Sequence, residues 1–175
     1  MYPWDSILEL LDLRSFSNLW FWMVLGGLWI VVSHWVLGVP YGLVLTAQRD
    51  GGEAEDDLRD LLGLRVKALL RMGETAGVLS VGMISFFLTM LALLGFVYWV
   101  EFAQAVFLLL LPLVPVLLLS LRTARKLAHE QPEAETIYLR LRRLRTAVQA
   151  IGLIAVLITT TWGMYVNASL GVMGH

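Results

Sequence analysis

Three apolar runs, at 19–37, 76–121 and 148–166, alternate with polar connections along the chain. A helix rises 1.5 Å per residue and needs about 20 residues to cross ~30 Å of hydrocarbon. The first and third runs therefore predict one span each, while the middle run is more than twice that length and must fold back. Glu101 is the one charge between Glu74 and Arg122, and it sits among aromatic residues in Gly95-Phe-Val-Tyr-Trp-Val-Glu101-Phe. Aromatics gather where a bilayer meets water, and Gly95 can end a helix. The pattern predicts a short hairpin around 96–102 and four spans, at about 16–38, 76–97, 102–121 and 147–168.

Ile7, Leu8, Leu10 and Leu11 recur opposite Asp5, Glu9 and Asp12. This spacing predicts an amphipathic interfacial helix over 1–15, lying on the outer face with Trp4 at its edge. Its acidic character and the length of the run behind it distinguish it from a cleaved signal peptide. After Gly51-Gly52, the residues Leu58, Leu61, Leu62, Leu69 and Met72 repeat near the helical period. Acids in the first turns and bases later suit the helix dipole. The pattern predicts a helical extension over 53–74 that runs into the second span or breaks at Gly73. Pro132 marks the start of another, over 133–147, that continues into the fourth span. The expected fold is all-α: residues 16–175 form a four-helix antiparallel transmembrane bundle, preceded by the interfacial helix.

Composition agrees with a lipid-embedded chain. Apolar types make up 58% of the 175 residues, charged types 15%, and mean hydropathy is +0.74. Soluble domains carry roughly 45–50% apolar and ~25% charged residues. Of the 13 Lys and Arg, all but Arg14 lie in the two long connections, at 40–75 and 122–146. The positive-inside rule then places both connections in the cytoplasm and both termini outside, which in a bacterium means the periplasmic side of the inner membrane.

Chemistry-bearing residues are few. There is no Cys, hence no disulfide, thiolate metal site or thiol nucleophile. No charged residue falls deep in a span, which argues against a pump or ion-coupled transporter. Walker, GxSxG and HExxH patterns are absent, so no enzyme, metal site or cofactor is expected. His34, near the cytoplasmic end of the first span, is the one histidine beside a membrane segment and the low-ranked candidate for a haem or quinone contact. Glu101 is expected in water at the turn, and Gln104 one turn further in can bond another helix. Pro112 and Pro115 predict a kink in the third span. Ala155, Thr159, Gly163 and Asn167 recur every four residues, and Gly73 and Gly77 form a GxxxG. Both stripes are candidate close-packing interfaces, within the bundle or with another protein, and a homo-oligomer is compatible with them. Arg140, Arg142, Arg143 and Arg145 form a collar expected to contact anionic lipid headgroups. Nucleic acid would draw on the same charges, but topology accounts for them and no nucleic-acid partner is expected.

Several stretches together carry a likeness: Arg14-Ser-Phe-Ser-Asn-Leu-Trp20, Ser33-His-Trp-Val-Leu-Gly-Val-Pro40, the run from Leu93 to Gln104, Leu119-Ser-Leu-Arg-Thr-Ala-Arg125 and Trp162-Gly-Met164. Over nearly its whole length the chain resembles a family of small alphaproteobacterial membrane proteins often labelled "component of SufBCD complex", after an iron–sulfur cluster assembly machinery. With no Cys to hold a cluster and no nucleotide-binding loop, the resemblance implies contact with the soluble complex through the cytoplasmic connections. The expected function is thus a non-enzymatic accessory, tethering or scaffold subunit that binds a partner protein. A small oligomeric transporter or channel, using the kinked third helix with Ser80, Ser85 and Thr89, and a haem- or quinone-contacting subunit at His34 are the alternatives.

Overall fold

The computed structural model describes residues 16, 19–130 and 132–172, apart from the side chains at 76 and 170–172. The interfacial helix expected over 1–15 lies outside the described residues. Helix α1 (Leu19–His34) leads into a hairpin of β1 (Trp35–Val36) and β2 (Val39–Pro40), then α2 (Tyr41–Asp50) and α3 (Glu53–Ala92). A π-helical turn (Leu93–Val97) precedes α4 (Glu101–Leu110), α5 (Leu113–Glu130) and α6 (Ala134–Val172).

Among the described residues three helices are long and apolar enough to cross a membrane: Gly77–Val97, from the second half of α3 through the π-helical turn, the bent Glu101–Glu130 helix formed by α4 and α5, and Ala134–Ser169 of α6. The first expected span is shorter than 16–38, because α1 has 16 residues and stops at His34. Pro40 has no N–H to donate and biases Val39 toward extended backbone. Val36 pairs with Val39 and Trp35 with Pro40 around a two-residue turn. Both turn residues have positive φ, 54° at Leu37 and 75° at Gly38, the twist that tight hairpins require. Leu37 tolerates the strain because its side chain is buried in the core, and Gly38 lets the Arg65 stem cross it, 3.3 Å from where a Cβ would stand.

The extension expected over 53–74 is one continuous helix with the segment that follows. With 40 residues, α3 is roughly 60 Å long and passes through Gly73 without a break. It starts after Gly51 and Gly52, whose φ of 63° and 55° pair with ψ of −159° and −128°, values open essentially to glycine. This reversal folds α2 back onto α3. Likewise α6 runs unbroken from the extension over 133–147 into the apolar segment. Between α4 and α5 the chain bends at Leu111-Pro112, where Pro112 brings no N–H.

The core is unevenly placed. Most of it lies at the basic end, where Tyr41, Val44, Leu58, Leu62, Leu127, Ile137 and Leu141 pack α2, the first half of α3, the end of α5 and the start of α6 together. Farther along, Trp29 of α1 packs on Gly152 of α6 and Phe16 on Gly163, so these two helices run antiparallel. From residue 77 to 92, by contrast, no α3 side chain is buried. That half of α3 leans on α4 and α5 and presents the rest of its surface outward.

Candidate functional site

The sequence-predicted residues divide by environment. His34 is exposed in the last turn of α1, its ring edge-on to Trp35 with centroids 6.3 Å apart. His129 lies on α5, and among the described residues no group of three or more His, Asp or Glu is placed to hold a metal ion. The α6 stripe turns into its own chain: Ala155, Thr159 and Gly163 are buried, and Asn167 is partly so. A Cβ on Gly73 would stand 3.8 Å from Leu121 of α5, whereas one on Gly77 would meet nothing within 4 Å. The two glycines thus face different surroundings.

The arginine collar also splits. Arg140 pairs with Glu130 across the Pro132 turn, and the Arg145 guanidinium lies 3.9 Å from the centre of the Tyr41 ring. Such a stacked cation is worth ~0.5–2 kcal/mol, so these two arginines hold α6 to α5 and α2. Arg142 and Arg143 remain exposed. At the same end Glu55 accepts from Arg59 at 3.0 Å and, at the limit of 3.5 Å, from the Tyr138 hydroxyl.

Along the seam between α3 and α5 lie crevices that the pattern of charges alone does not reveal. One of 530 Å³ is lined by Leu70, Gly73, Glu74, Leu121, Arg125, Ala128 and His129. Beside it, sharing Ala128, another of 400 Å³ is lined by Arg59, Lys67, Pro132 and apolar neighbours. Gly63, Gly73 and Ala128 keep the helices' facing surfaces low, which opens the space. Arg59 is engaged by Glu55, but Lys67 and Arg125 make no ion pair or hydrogen bond among the described residues. Farther along the same seam a crevice of 520 Å³ is lined by Ser80, Met83, Ile84, Phe87, Leu110 and Leu113, among others, and is almost wholly apolar.

The opposite end of the helices is closed by polar contacts. The chain reverses at 98–100, with Trp99 at φ 55°. Gln104, 1% exposed, donates its amide to the Gly95 carbonyl at 2.8 Å and accepts from the Trp162 indole at 3.0 Å. The Gln104 backbone fits because position 95 has no Cβ: one there would stand 2.9 Å from the Gln104 nitrogen. Glu101 is not left wholly to water, for it accepts from the Phe16 backbone N–H at 2.7 Å. Its carboxylate ties the lead-in to α1 to the hairpin. Thr159 is fully buried with an unpartnered hydroxyl, beside a crevice at Pro112 and Pro115. Its role could be suspected from the four-residue repeat, whereas the α3–α5 crevices depend on which helices pair.

Comparison with known protein families, curated proteins and solved structures finds no match to the chain.

Proposed function

We propose that this chain is a non-enzymatic inner-membrane protein of four antiparallel spans, with both termini periplasmic. In this reading it serves as an accessory, tethering or scaffold subunit whose cytoplasmic helical module binds a partner protein. The partner class implied by the resemblance is the soluble iron–sulfur assembly machinery. The fourth span in this reading is α1 with its flanks. Phe16 is level with Gly163 of α6, and the hairpin at Trp35–Val36 shares a crevice with Leu144. The stretch of α6 between those levels rises roughly 28 Å, close to a hydrocarbon thickness.

One observation carries the functional part. The basic end is packed like a small soluble bundle around Leu58 and Leu141, yet its outer face is left charged, with Glu53, Asp56, Asp57 and Asp60 exposed on α3. A membrane anchor alone does not need a second, better-packed module outside the apolar segments. Photo-crosslinkers at Asp57 and Arg143 in native membranes are expected to trap one protein at fixed stoichiometry. Asp56→Lys with Asp60→Lys is expected to abolish the adduct. Recovery of only abundant bystanders, or an adduct indifferent to that charge reversal, would sink the reading.

A further inference from the structure

The α3–α5 seam changes character along its length. At the basic end Arg125, His129 and Lys67 line adjoining crevices, with Glu74 as the one acid among the lining residues. The charges then stop, with Glu74 on α3 and Arg122 on α5, and the seam continues into the apolar crevice between Ile84 and Leu113. Arg125 and His129 are one turn apart on the same face of α5, the spacing at which helix neighbours can share a ligand. From Arg125 to Leu117, which lines the apolar crevice, α5 rises roughly 12 Å. A single seam therefore offers two cations without an ion pair among the described residues, Lys67 and Arg125, near the level where the apolar helices begin, and an apolar trough beyond.

We propose that this seam holds one anionic glycerophospholipid, its phosphate against Arg125, His129 and Lys67 and its acyl chains in the apolar crevice. The charge balance selects the occupant: a soluble anion has no use for the trough, and Lys67 and Arg125 against Glu74 leave one net positive charge that a singly anionic lipid neutralises and a zwitterionic lipid does not. Glu74 narrows the class further. A carboxylate in the same crevice repels a second phosphate but accepts from a hydroxyl, which suits a singly charged headgroup bearing hydroxyls, such as phosphoglycerol. This site is separate from the exposed Arg142 and Arg143, which face outward on α6.

The inference rests on the membrane reading above, and fractionation separates the two. A chain found in the supernatant of lysed cells removes both, whereas a membrane-bound chain without lipid preference removes only this one. The full chain, delipidated in neutral detergent, would be titrated with phosphatidylglycerol, phosphatidylcholine or inorganic phosphate. Thermal unfolding and native mass spectrometry would be read together. Phosphatidylglycerol is expected to raise the unfolding midpoint and to remain bound at one per chain, and the other two are not. Surface cations are worth ~1 kcal/mol each toward anionic lipid, so Lys67→Gln with Arg125→Gln should weaken phosphatidylglycerol about 30-fold. Both residues are exposed, and Arg125→Lys should retain most of the affinity. Arg142→Gln with Arg143→Gln should bind like the parent. Equal response to phosphatidylcholine, or loss that follows Arg142 and Arg143 instead, overturns the site. Stabilisation by inorganic phosphate equal to that by phosphatidylglycerol overturns the lipid and assigns a soluble phosphate ligand.

Discussion

Gln104 illustrates how one side chain can close an end of an apolar assembly. Its amide group bonds both the Gly95 carbonyl, freed where the helix widens into a π-turn, and the Trp162 indole on α6. A buried donor or acceptor left without a partner costs about 1–3 kcal/mol, so Gln104→Leu should lower stability in detergent by about that amount. The glycine facing it gives a sharper test. In Gly95→Ala the new methyl would press on backbone, 2.9 Å from the Gln104 nitrogen and 3.1 Å from its Cα, and overpacking of this kind costs about 1–3 kcal/mol. Gly77→Ala meets nothing within 4 Å and should be neutral, or gain up to about 1 kcal/mol of helix propensity. Denaturant titration of the two alanine variants in one detergent should place the Gly95→Ala midpoint below that of Gly77→Ala; equal midpoints would mean that the contact between Gly95 and Gln104 is not made.

Each long helix has two halves with different duties. The first half of α3 buries Leu58, Leu62 and Val66 against α2 and the neighbouring helices, while Val78 beyond them is 92% exposed. Cohesion should therefore concentrate at the basic end. Leu141→Ala, at a position with no exposure, is expected to cost about 2–5 kcal/mol, whereas Leu79→Ala, on the outward face, should stay within about 0.5 kcal/mol. Unfolding midpoints in detergent check the contrast. The sequence made these helices legible through length and charge: Glu101 marked the reversal that falls at 98–100, and Pro112 marked the bend. It left the hairpin at Trp35–Pro40 hidden, because a leucine rather than Asn or Asp occupies its first turn position. Hidden too were the Gln104–Trp162 bond, which joins residues 58 apart, and the crevices between α3 and α5. These depend on which surfaces meet, and hydropathy along one chain does not record that.

At the scale of the whole molecule the helices do not close into a symmetric bundle. Residues of α1, α5 and α6 share one crevice wall around Val32, Val116 and Val148, whereas the apolar half of α3 is attached at the side, through α4 and α5 alone among its principal neighbours. On the membrane reading proposed above, charge rather than packing should set the molecule's direction. A single Arg at a helix centre costs roughly 2.5–3.5 kcal/mol on insertion scales, and five of the Lys and Arg residues lie between 49 and 71, so their summed cost opposes inversion. The end bearing Asp57 should thus stay with the cytoplasm and the end bearing Tyr98 outside. The chain has no Cys of its own, so single cysteines can report this directly. Tyr98→Cys, at a position 72% exposed, should react with a membrane-impermeant maleimide in cells whose outer membrane alone is permeabilised. Asp57→Cys, also exposed, should react only after lysis. Labelling of Asp57→Cys before lysis, with Tyr98→Cys protected, would invert the molecule and remove the cytoplasmic placement on which the proposed partner binding rests.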